Sequence, residues 1–433
     1  MQHLAQQRRF DPANVMVVVT FVAYSVSFMD RQIVSVLIEP IKAELHIPDG
    51  QMGMLTGLSF ALFYCLLSLP IAALSDRISR KRIIVTAMAF WSVMTALFGF
   101  ARNYGELFVA RMAVGGGEAA FAPAVYSMVA DYFPPNKRGA ATGIIAAGSM
   151  VGASCGLILG GYVAAHAGWR AAMKVAAVPG IILAVVYALV VREPQRELST
   201  SAIAVAQKVP RFSALARVPA YLLIVAAANG AMFVLFACVH WFPAYLMRTH
   251  HMNQAAVGAV LGPVLGGAGV AAMIISGFAI DLAAKKDARW TTWIPAIAAL
   301  AGIPLLALSF WSNDRTVAIA CFGGAYFAVM FQCTPIVAAI QSLVLPSLRA
   351  RASAVFMLST TLVGAGAGPT LAGFLSELYE PAYGHDSLRY ALLTLTPVLI
   401  VSPLLLTLAA PWFVRDRRVA VEDMTTTPAE GPA

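Results

Sequence analysis

The sequence predicts an all-α membrane protein of twelve spanning helices, arranged as two related six-helix halves. Three observations carry this. Of 433 residues, 60% are hydrophobic and only 12% are charged, whereas a soluble domain carries about a quarter charged residues. Apolar runs of the roughly 20 residues needed to cross a bilayer follow one another with short polar breaks between them. Charge and glycine patterns of the first half recur in the second, 205 to 212 residues later.

The apolar stretch after Asn14 is too long for a signal-peptide core and lacks a small-residue cleavage site, so it reads as an uncleaved first span. The spans of the first half are expected at roughly 14 to 40, 51 to 75, 82 to 100, 105 to 131, 139 to 165 and 170 to 191. Those of the second are expected at 218 to 247, 254 to 280, 290 to 310, 316 to 344, 352 to 378 and 388 to 413. Residues 1–191 and 218–413 are thus two bundles, joined by a polar linker over 192–217 and followed by a tail over 414–433.

With the N-terminus inside, cytoplasmic segments hold 21 of the 30 basic residues, among them Arg77, Arg80, Lys81, Arg82, Lys137, Arg138, Lys285, Lys286, Arg349 and Arg351. Lys42, Arg102, Arg170, Arg248, Arg315 and Arg389 fall outside, and Arg31, Arg111 and Lys174 fall within spans. This asymmetry implies an even span count with both termini cytoplasmic, as in a multi-pass protein of the inner cell membrane.

The internal repeat is weak but ordered. Ala72-x-x-x-Asp76 with Arg80-Lys81 matches Gly277-x-x-x-Asp281 with Lys285-Lys286, and Pro135-x-x-Arg138 matches Pro346-x-x-Arg349. Gly152, Gly156 and Gly161 match Gly364, Gly368 and Gly373. Such duplication marks transporters that rock one bundle against another around a central site.

Other classes are disfavoured. The five cysteines lie in apolar runs, with no Cys-x-x-Cys pair and no His at ligand spacing, so neither disulfides nor a metal site is expected. The formal charge of +9 is distributed among the breaks between spans, which argues against a nucleic-acid partner. Gly115-Gly116-Gly117 has no preceding strand and no Gly-Lys-Ser/Thr after it, so no nucleotide and no cofactor is expected. No His-Glu-x-x-His or Gly-x-Ser-x-Gly motif supports an enzyme. A receptor would leave the intramembrane charges of one half unexplained.

An ionisable residue within a span costs about 2.5–3.5 kcal/mol on insertion scales, so each needs a partner, water or a task. Asp30 and Arg31 lie past the middle of the first span, and Arg111 and Glu118, seven apart on one face, lie in the fourth. At 1.5 Å per residue Glu118 falls near the midplane. Asp30 and Glu118 are candidate proton-binding carboxylates, tuned by burial and by Arg31 and Arg111, which also suit a substrate head group. The alternative is a static ion-pair network that sets helix register.

Asp76-Arg77-x-x-Arg80-Lys81-Arg82 forms a charged turn between the second and third spans. Asp76, Arg77 and Arg80, with Asp281 in the second half, are candidates for a cytoplasmic gate, because a carboxylate facing a helix N-terminus is favourable. The alternative is a turn that only sets topology. The row Gly148, Gly152, Gly156, Gly160 is expected to let another backbone approach closely. Tyr24, Phe60, Tyr64, Asn229, His240, Trp241, Tyr326 and Gln332 are candidates for lining a cavity, with packing as the alternative for each.

Three stretches carry a family resemblance: Phe28-Met29-Asp30-Arg31-Gln32-Ile33 running on to Glu39-Pro40-Ile41-Lys42, Asp76-Arg77-Ile78-Ser79-Arg80, and Arg111 through Gly115-Gly116-Gly117-Glu118-Ala119. Trp169-Arg170 and Arg192-Glu193-Pro194 add to them. The chain resembles the spinster-like branch of the major facilitator superfamily, above all its bacterial members, from the first span to the twelfth. The resemblance implies the major facilitator fold and a proton-driven facilitator, with the family's Asp and Glu at Asp30 and Glu118 and its arginines at Arg31 and Arg111. Animal relatives move lysophospholipids or sphingosine-type lipids. Ser27 stands where an Asn is common, Met112 where a Gly often follows the Arg, and Ala72 and Ser79 replace glycines of the charged turn.

The expected function is therefore proton-coupled movement of a small amphipathic or lipid-like molecule by alternating access, by a monomer whose partners are protons, substrate and membrane lipids. The anion:cation symporters of the same superfamily also carry a first-span Arg and a fourth-span Arg with Glu-Ala, so import of a sugar acid or aromatic acid is the second reading. One proton crossing about 100 mV supplies about 2.3 kcal/mol, enough for roughly 50-fold accumulation. No Asp, Glu, Lys or Arg lies in the interiors of the six spans of the second half, which is expected to offer an apolar wall to a hydrophobic tail.

Overall fold

A computed structural model of the chain describes residues 11–75, 78–194 and 212–426. Asp76, Arg77 and most of the expected linker, 195–211, lie outside the described residues, as do both ends of the chain.

Helix boundaries at the water interface follow local chemistry. The first helix, α1 (Pro12–Leu45), starts on Pro12 with Asp11 accepting from the Ala13 N–H at 3.0 Å, because the first N–H groups of a helix need a side-chain acceptor. The second span is α2 (Asp49–Thr56) with α3 (Leu58–Ser75), and the third is α4 (Arg80–Phe98). The fourth is α5 (Tyr104–Glu118) with α6 (Phe121–Tyr132). It opens on Asn103, whose side chain accepts from the Glu106 N–H at 2.9 Å while Glu106 accepts from the Arg102 N–H at 2.8 Å. The fifth and sixth spans run together as α7 (Pro135–Val190), separated at Gly168, whose φ of 80° only glycine adopts without strain.

In the second half, α8 (Pro219–Thr249), α9 (Gln254–Ala283) and α10 (Trp290–Trp311) are single spans. The tenth is α11 (Arg315–Met330) with α12 (Cys333–Leu343). The eleventh is α13 (Arg349–Ser359), a π-helical stretch Thr360–Ala367 and α14 (Gly368–Tyr383). The twelfth is α15 (Ser387–Leu395), a 3-10 turn Thr396–Ile400 and α16 (Val401–Thr426), which extends past the expected boundary at 413. The twelve expected spans are thus present, with no strand among the described residues.

By packing, the chain forms two units. The first is Met1–Glu197 with Leu246–Gly266, and the second is Leu198–Tyr245 with Gly267–Ala433. In the first unit α1 packs along α7, and α5 packs between α3 and α4. The expected glycine row is the contact surface. A Cβ on Gly148 would stand 2.7 Å from the Phe21 carbonyl oxygen and one on Gly156 2.7 Å from that of Met29, while Gly152 abuts the Ser25 carbonyl and Gly160 abuts Ile33. Three successive turns of α7 thus dock directly on the α1 backbone, and at the fourth Gly160 makes room for the Ile33 side chain. Trp91 and Phe121, edge to face at 5.5 Å, fill the adjacent core with Met88 and Tyr187.

In the second unit α10 packs on α11 and α16, around Tyr221, Ile340 and Phe413. Phe242 stacks on Phe322 with centroids 3.7 Å apart.

The repeat seen in the sequence reaches the backbone. After Glu118 the Ala119 N–H returns to Gly115 O and the Ala120 N–H to Gly117 O, and 212 residues on Phe331 returns to Phe327 O and Gln332 to Val329 O. Each break parts the two segments of its span. Likewise Gly364 sits against Met232, and Gly368 against the Phe233 carbonyl, as Gly152 and Gly156 sit against α1.

A leucine at Gly152 is expected to lower protein stability by at least about 1–3 kcal/mol, the cost of overpacking, read as a depressed melting temperature in detergent. Gly143→Ala, where a Cβ meets nothing within 4 Å, is the matched control and is expected to melt like the wild type.

Candidate functional site

The four intramembrane charges come together in the first unit. Ser27 and Arg31 are one turn apart on α1, so both face α5. Arg31 Nε donates to Glu118 Oε2 at 2.6 Å, and Ser27 Oγ donates to the same oxygen at 2.6 Å. A planar guanidinium tolerates low hydration when aromatic faces surround it. The Arg31 Cζ is 4.7 Å from the ring centroids of Phe28 and Phe60 and 5.0 Å from Tyr64.

Arg111 acts differently from the expectation of a direct partner for a carboxylate. Its Nη1 and Nη2 donate to the backbone carbonyls of Asp30 and Arg31, each at 3.3 Å, so it ties α5 to the α1 backbone. Asp30 accepts from Thr95 Oγ1 of α4 at 3.3 Å. Asp30, Arg111 and Glu118 are 1–2% exposed, whereas the Arg31 side chain is 23% exposed. Asp30 Oδ1, Glu118 Oε1 and Arg111 Nε have no hydrogen-bond partner among the described residues. The cluster therefore pairs one acid and one base, and leaves acceptor capacity free on both acids.

Gly115-Gly116-Gly117 makes this proximity possible. A Cβ on Gly115 would lie 2.5 Å from the Phe60 carbonyl oxygen, and one on Gly117 3.1 Å from Trp91 Cβ. The absence of side chains brings α5 onto α3 and α4, and with α3 come Phe60 and Tyr64. Tyr24 joins the same aromatic group, 5.2 Å from Phe28 and 6.0 Å from Phe121.

The remaining lining candidates are in the second unit and do not form a comparable cluster. His240 is buried, with Nδ1 2.9 Å from the carbonyl of Phe236 in its own helix. Trp241 is fully buried and its Nε1 donates to Pro369 O at 2.8 Å, so it packs α8 against α14. Tyr326 is buried, Asn229 is half-buried, and Gln332 is fully buried with Oε1 accepting from Ser402 at 3.1 Å. Asn229 Oδ1 and Gln332 Nε2 have no partner among the described residues.

Of the gate candidates, Asp76 and Arg77 lie outside the described residues, and Asp281 is exposed. Arg80 is buried between Asp131 of α6 and Glu193, donating to Asp131 and, through Nε, to Glu193 Oε1 at 3.1 Å. Glu193 also accepts from Ser79 Oγ at 2.7 Å and from the Lys81 and Arg80 N–H groups at 2.7 and 3.1 Å, which places a carboxylate on the α4 N-terminus. Burial of Glu193 raises its carboxyl, but these hydrogen bonds outweigh it and hold the group below the usual glutamate range. At the other end of the unit, Arg248 donates to both Asp49 oxygens at 2.7 Å and to Glu39 at 2.7 and 2.9 Å, and Lys42 also reaches Asp49. Ser27, Thr95, Asp131, Glu193 and the Arg248 cluster were not identified as site residues from sequence. Only a lone hydroxyl in an apolar span, as at Ser27 and Thr95, and acid-base pairs at span ends hinted at them.

The sequence model of the Major Facilitator Superfamily matches residues 20–369. An "MFS-type efflux pump" of Mycolicibacterium smegmatis is 31% identical over 90% of this chain and 91% of its own length. A sphingosine-1-phosphate transporter of Danio rerio is 25% identical over 92% of this chain and 84% of its own. The crystal structure of a bacterial homolog of the human lysosomal transporter spinster, inward-facing and unoccupied, shares the fold with a TM-score of 0.78, at 24% identity over 96% of this chain and 99% of that one.

Removing Arg248 takes from Asp49 and Glu39 the guanidinium that both share. Arg248→Ala is expected to cost about 2–5 kcal/mol, as for other hydrogen-bonded charge pairs that lose one partner, and Arg248→Lys less, both read by denaturation in detergent. For Glu193 the lowered carboxyl means that its stabilisation is present above about pH 4.3, the ordinary glutamate value, and is lost as pH falls through the lower folded-state value. Melting temperatures measured from pH 6 down through this acid range, about pH 5 to 3, should fall more steeply for the wild type than for Glu193→Gln. Parallel curves would remove Glu193 from this role.

Proposed function

This chain belongs to the Major Facilitator Superfamily as a spinster-like, multi-pass membrane transporter, and we propose that it moves a small amphipathic, lipid-like molecule together with protons. The observation that carries the proposal is the Arg31–Glu118 pair beside Asp30, two carboxylates that are 1% exposed and each keep an oxygen without a partner among the described residues.

A proton on Glu118 removes the charge that holds Arg31, so the guanidinium is released to an anionic head group. Loss of the proton restores the pair and displaces the head group. Proton and substrate thus favour each other's binding, and joint movement follows from charge balance in a medium where an unpaired ion is costly. Asp30, which accepts from Thr95 on one oxygen, is the second proton acceptor in this reading. Arg111 fixes the α1 backbone that carries Asp30 and Arg31. Tyr24, Phe60 and Tyr64 surround the head group.

Alternating access by a monomer, with both termini on the cytoplasmic side of the inner membrane, completes the reading. A lipid-like substrate is supported by the sphingosine-1-phosphate transporter of Danio rerio. Arg80 with Asp131 and Glu193, and the adjoining Asp76 and Arg77, act as the cytoplasmic gate, with Asp281 as their counterpart in the second bundle.

In proteoliposomes with an imposed pH gradient, transport of a labelled lysophosphatidic acid is expected to fall about tenfold or more, over 1.36 kcal/mol in barrier terms, in Asp30→Asn and in Glu118→Gln. Both variants should still melt cooperatively. Gradient-dependent transport at the wild-type rate in both would sink the proton role, and thermal stabilisation by gluconate but not by the lysolipid would redirect the substrate class to small acids.

A further inference from the structure

On the side of α5 opposite Arg111 and Glu118 lies a groove of about 620 Å³, floored by α5 and walled by α3 and α4. Its size falls within the range of small-ligand sites, about 300–1,000 Å³. The floor combines the small residues Ala113, Gly116 and Gly117 with Val109 and Met112, and the walls include Leu67, Ile83 and Phe90. Among the described residues Thr86 is the only hydroxyl in the lining, and it is satisfied by the carbonyls of Arg82 and Ile83 at 2.9 and 3.1 Å. Leu67 and Phe90 are 37% and 47% exposed on a helix surface whose solvent is hydrocarbon. An unfilled groove here forfeits dispersion contacts along its whole floor.

One end of the groove is charged. Arg82, Thr86 and Phe90 follow one another at intervals of four on one face of α4, all exposed. From Arg82 to Phe90 is about 12 Å along the helix. Among the described residues Arg82 and its neighbour Lys81 form hydrogen bonds only through backbone atoms. A free guanidinium above an apolar furrow is the complement of an anionic head group above an acyl chain, and basic residues at a span end attract anionic lipids.

We infer that the groove between α3, α4 and α5 holds one anionic phospholipid, with its phosphate on Arg82 and an acyl chain along Ala113, Gly116 and Gly117. The lipid comes from the leaflet at the Arg82 end, which is the cytoplasmic one in the orientation proposed above. The chain lies along the stretch of α5 where Ala113, Gly116 and Gly117 leave least side-chain bulk, directly behind the turn that carries Glu118. The site does not depend on the transport reading, because the lipid remains in its leaflet and no proton is involved.

The test is retention of 1-palmitoyl-2-oleoyl-phosphatidylglycerol by delipidated, full-length protein in detergent, counted by native mass spectrometry beside the phosphatidylcholine of the same chains. One phosphatidylglycerol is expected to be held about fivefold more tightly than phosphatidylcholine. Arg82→Ala should abolish that preference and Arg82→Lys restore it. Ala113→Phe, or the milder Ala113→Leu should the first fail to fold, should fill the floor and reduce retention of both lipids. Arg315→Ala, at an exposed basic residue of α11, should leave the preference intact. Equal retention of both lipids by the wild type, or a preference that survives Arg82→Ala, overturns the site. Competition by glycerol phosphate as strong as by the intact lipid shows an anion site without a chain, and overturns it as well. Transport is not a readout, so this failure is distinct from failure of the proton mechanism.

Discussion

Hydrocarbon supplies neither water nor a counter-ion, so a guanidinium and a carboxylate persist inside it only in contact. The 2.6 Å contact of Arg31 with Glu118 places demands on every helix around it. α5 must approach α1 and α3 more closely than ordinary side chains permit, which the glycines before Glu118 allow. α1 must be held in register, and the glycine face of α7 does so at Phe21, Ser25, Met29 and Ile33, positions that bracket the charged pair. The solvation that water would give the guanidinium comes instead from Phe28, Phe60 and Tyr64, while the Ser27 hydroxyl shares the carboxylate oxygen.

The second half shows which of these features belong to the fold and which to the chemistry. A shift of 204 residues, which maps Met29 and Ile33 at Gly156 onto Phe233 and Ala237 at Gly368, sets Val234 at the position of Asp30 and Ala231 at that of Ser27. The shift of 212 sets Met330 at the position of Glu118 and Gly323 at that of Arg111. Val234 and Met330 are buried apolar side chains, yet the helix break after position 330 repeats the hydrogen bonds of the break after Glu118. The break therefore does not need the carboxylate. Charge was placed on an architecture that closes without it, and only in one bundle, where partners for it exist.

The same reasoning explains what was readable in the sequence. Span number, the doubled pattern and the grouping of Asp30, Arg31, Arg111 and Glu118 follow from hydropathy, period and insertion cost, which are properties of the chain in a known solvent. Choice of partner is not such a property. Arg111 bonds to carbonyls of α1, and Arg80 reaches Asp131 and Glu193, 51 and 113 residues away, because packing decides which of several nearby acceptors comes within range. Arg248 and Glu193 lie where charges also set topology, so their pairing left no separate mark. The division at Gly168 was visible as a boundary between spans but not as a single residue at positive φ inside an otherwise unbroken helical run.

Three charge clusters in the first unit differ in how they can be opened. The Arg80 and Arg248 clusters sit at helix ends, and their members are partly exposed, Glu193 by 31% and Glu39 by 25% at the side chain. If helices part there, water and salt take over the role of the lost partner, and the cost is modest. The Arg31–Glu118 pair has no such replacement on the carboxylate side, which is closed to solvent. On the proposed reading, separating it requires a proton for Glu118 and an anion for Arg31 in the same step. Coupling between the two ligands then follows from the location of the pair at mid-span, and the end clusters are left to decide which side of the membrane the site faces.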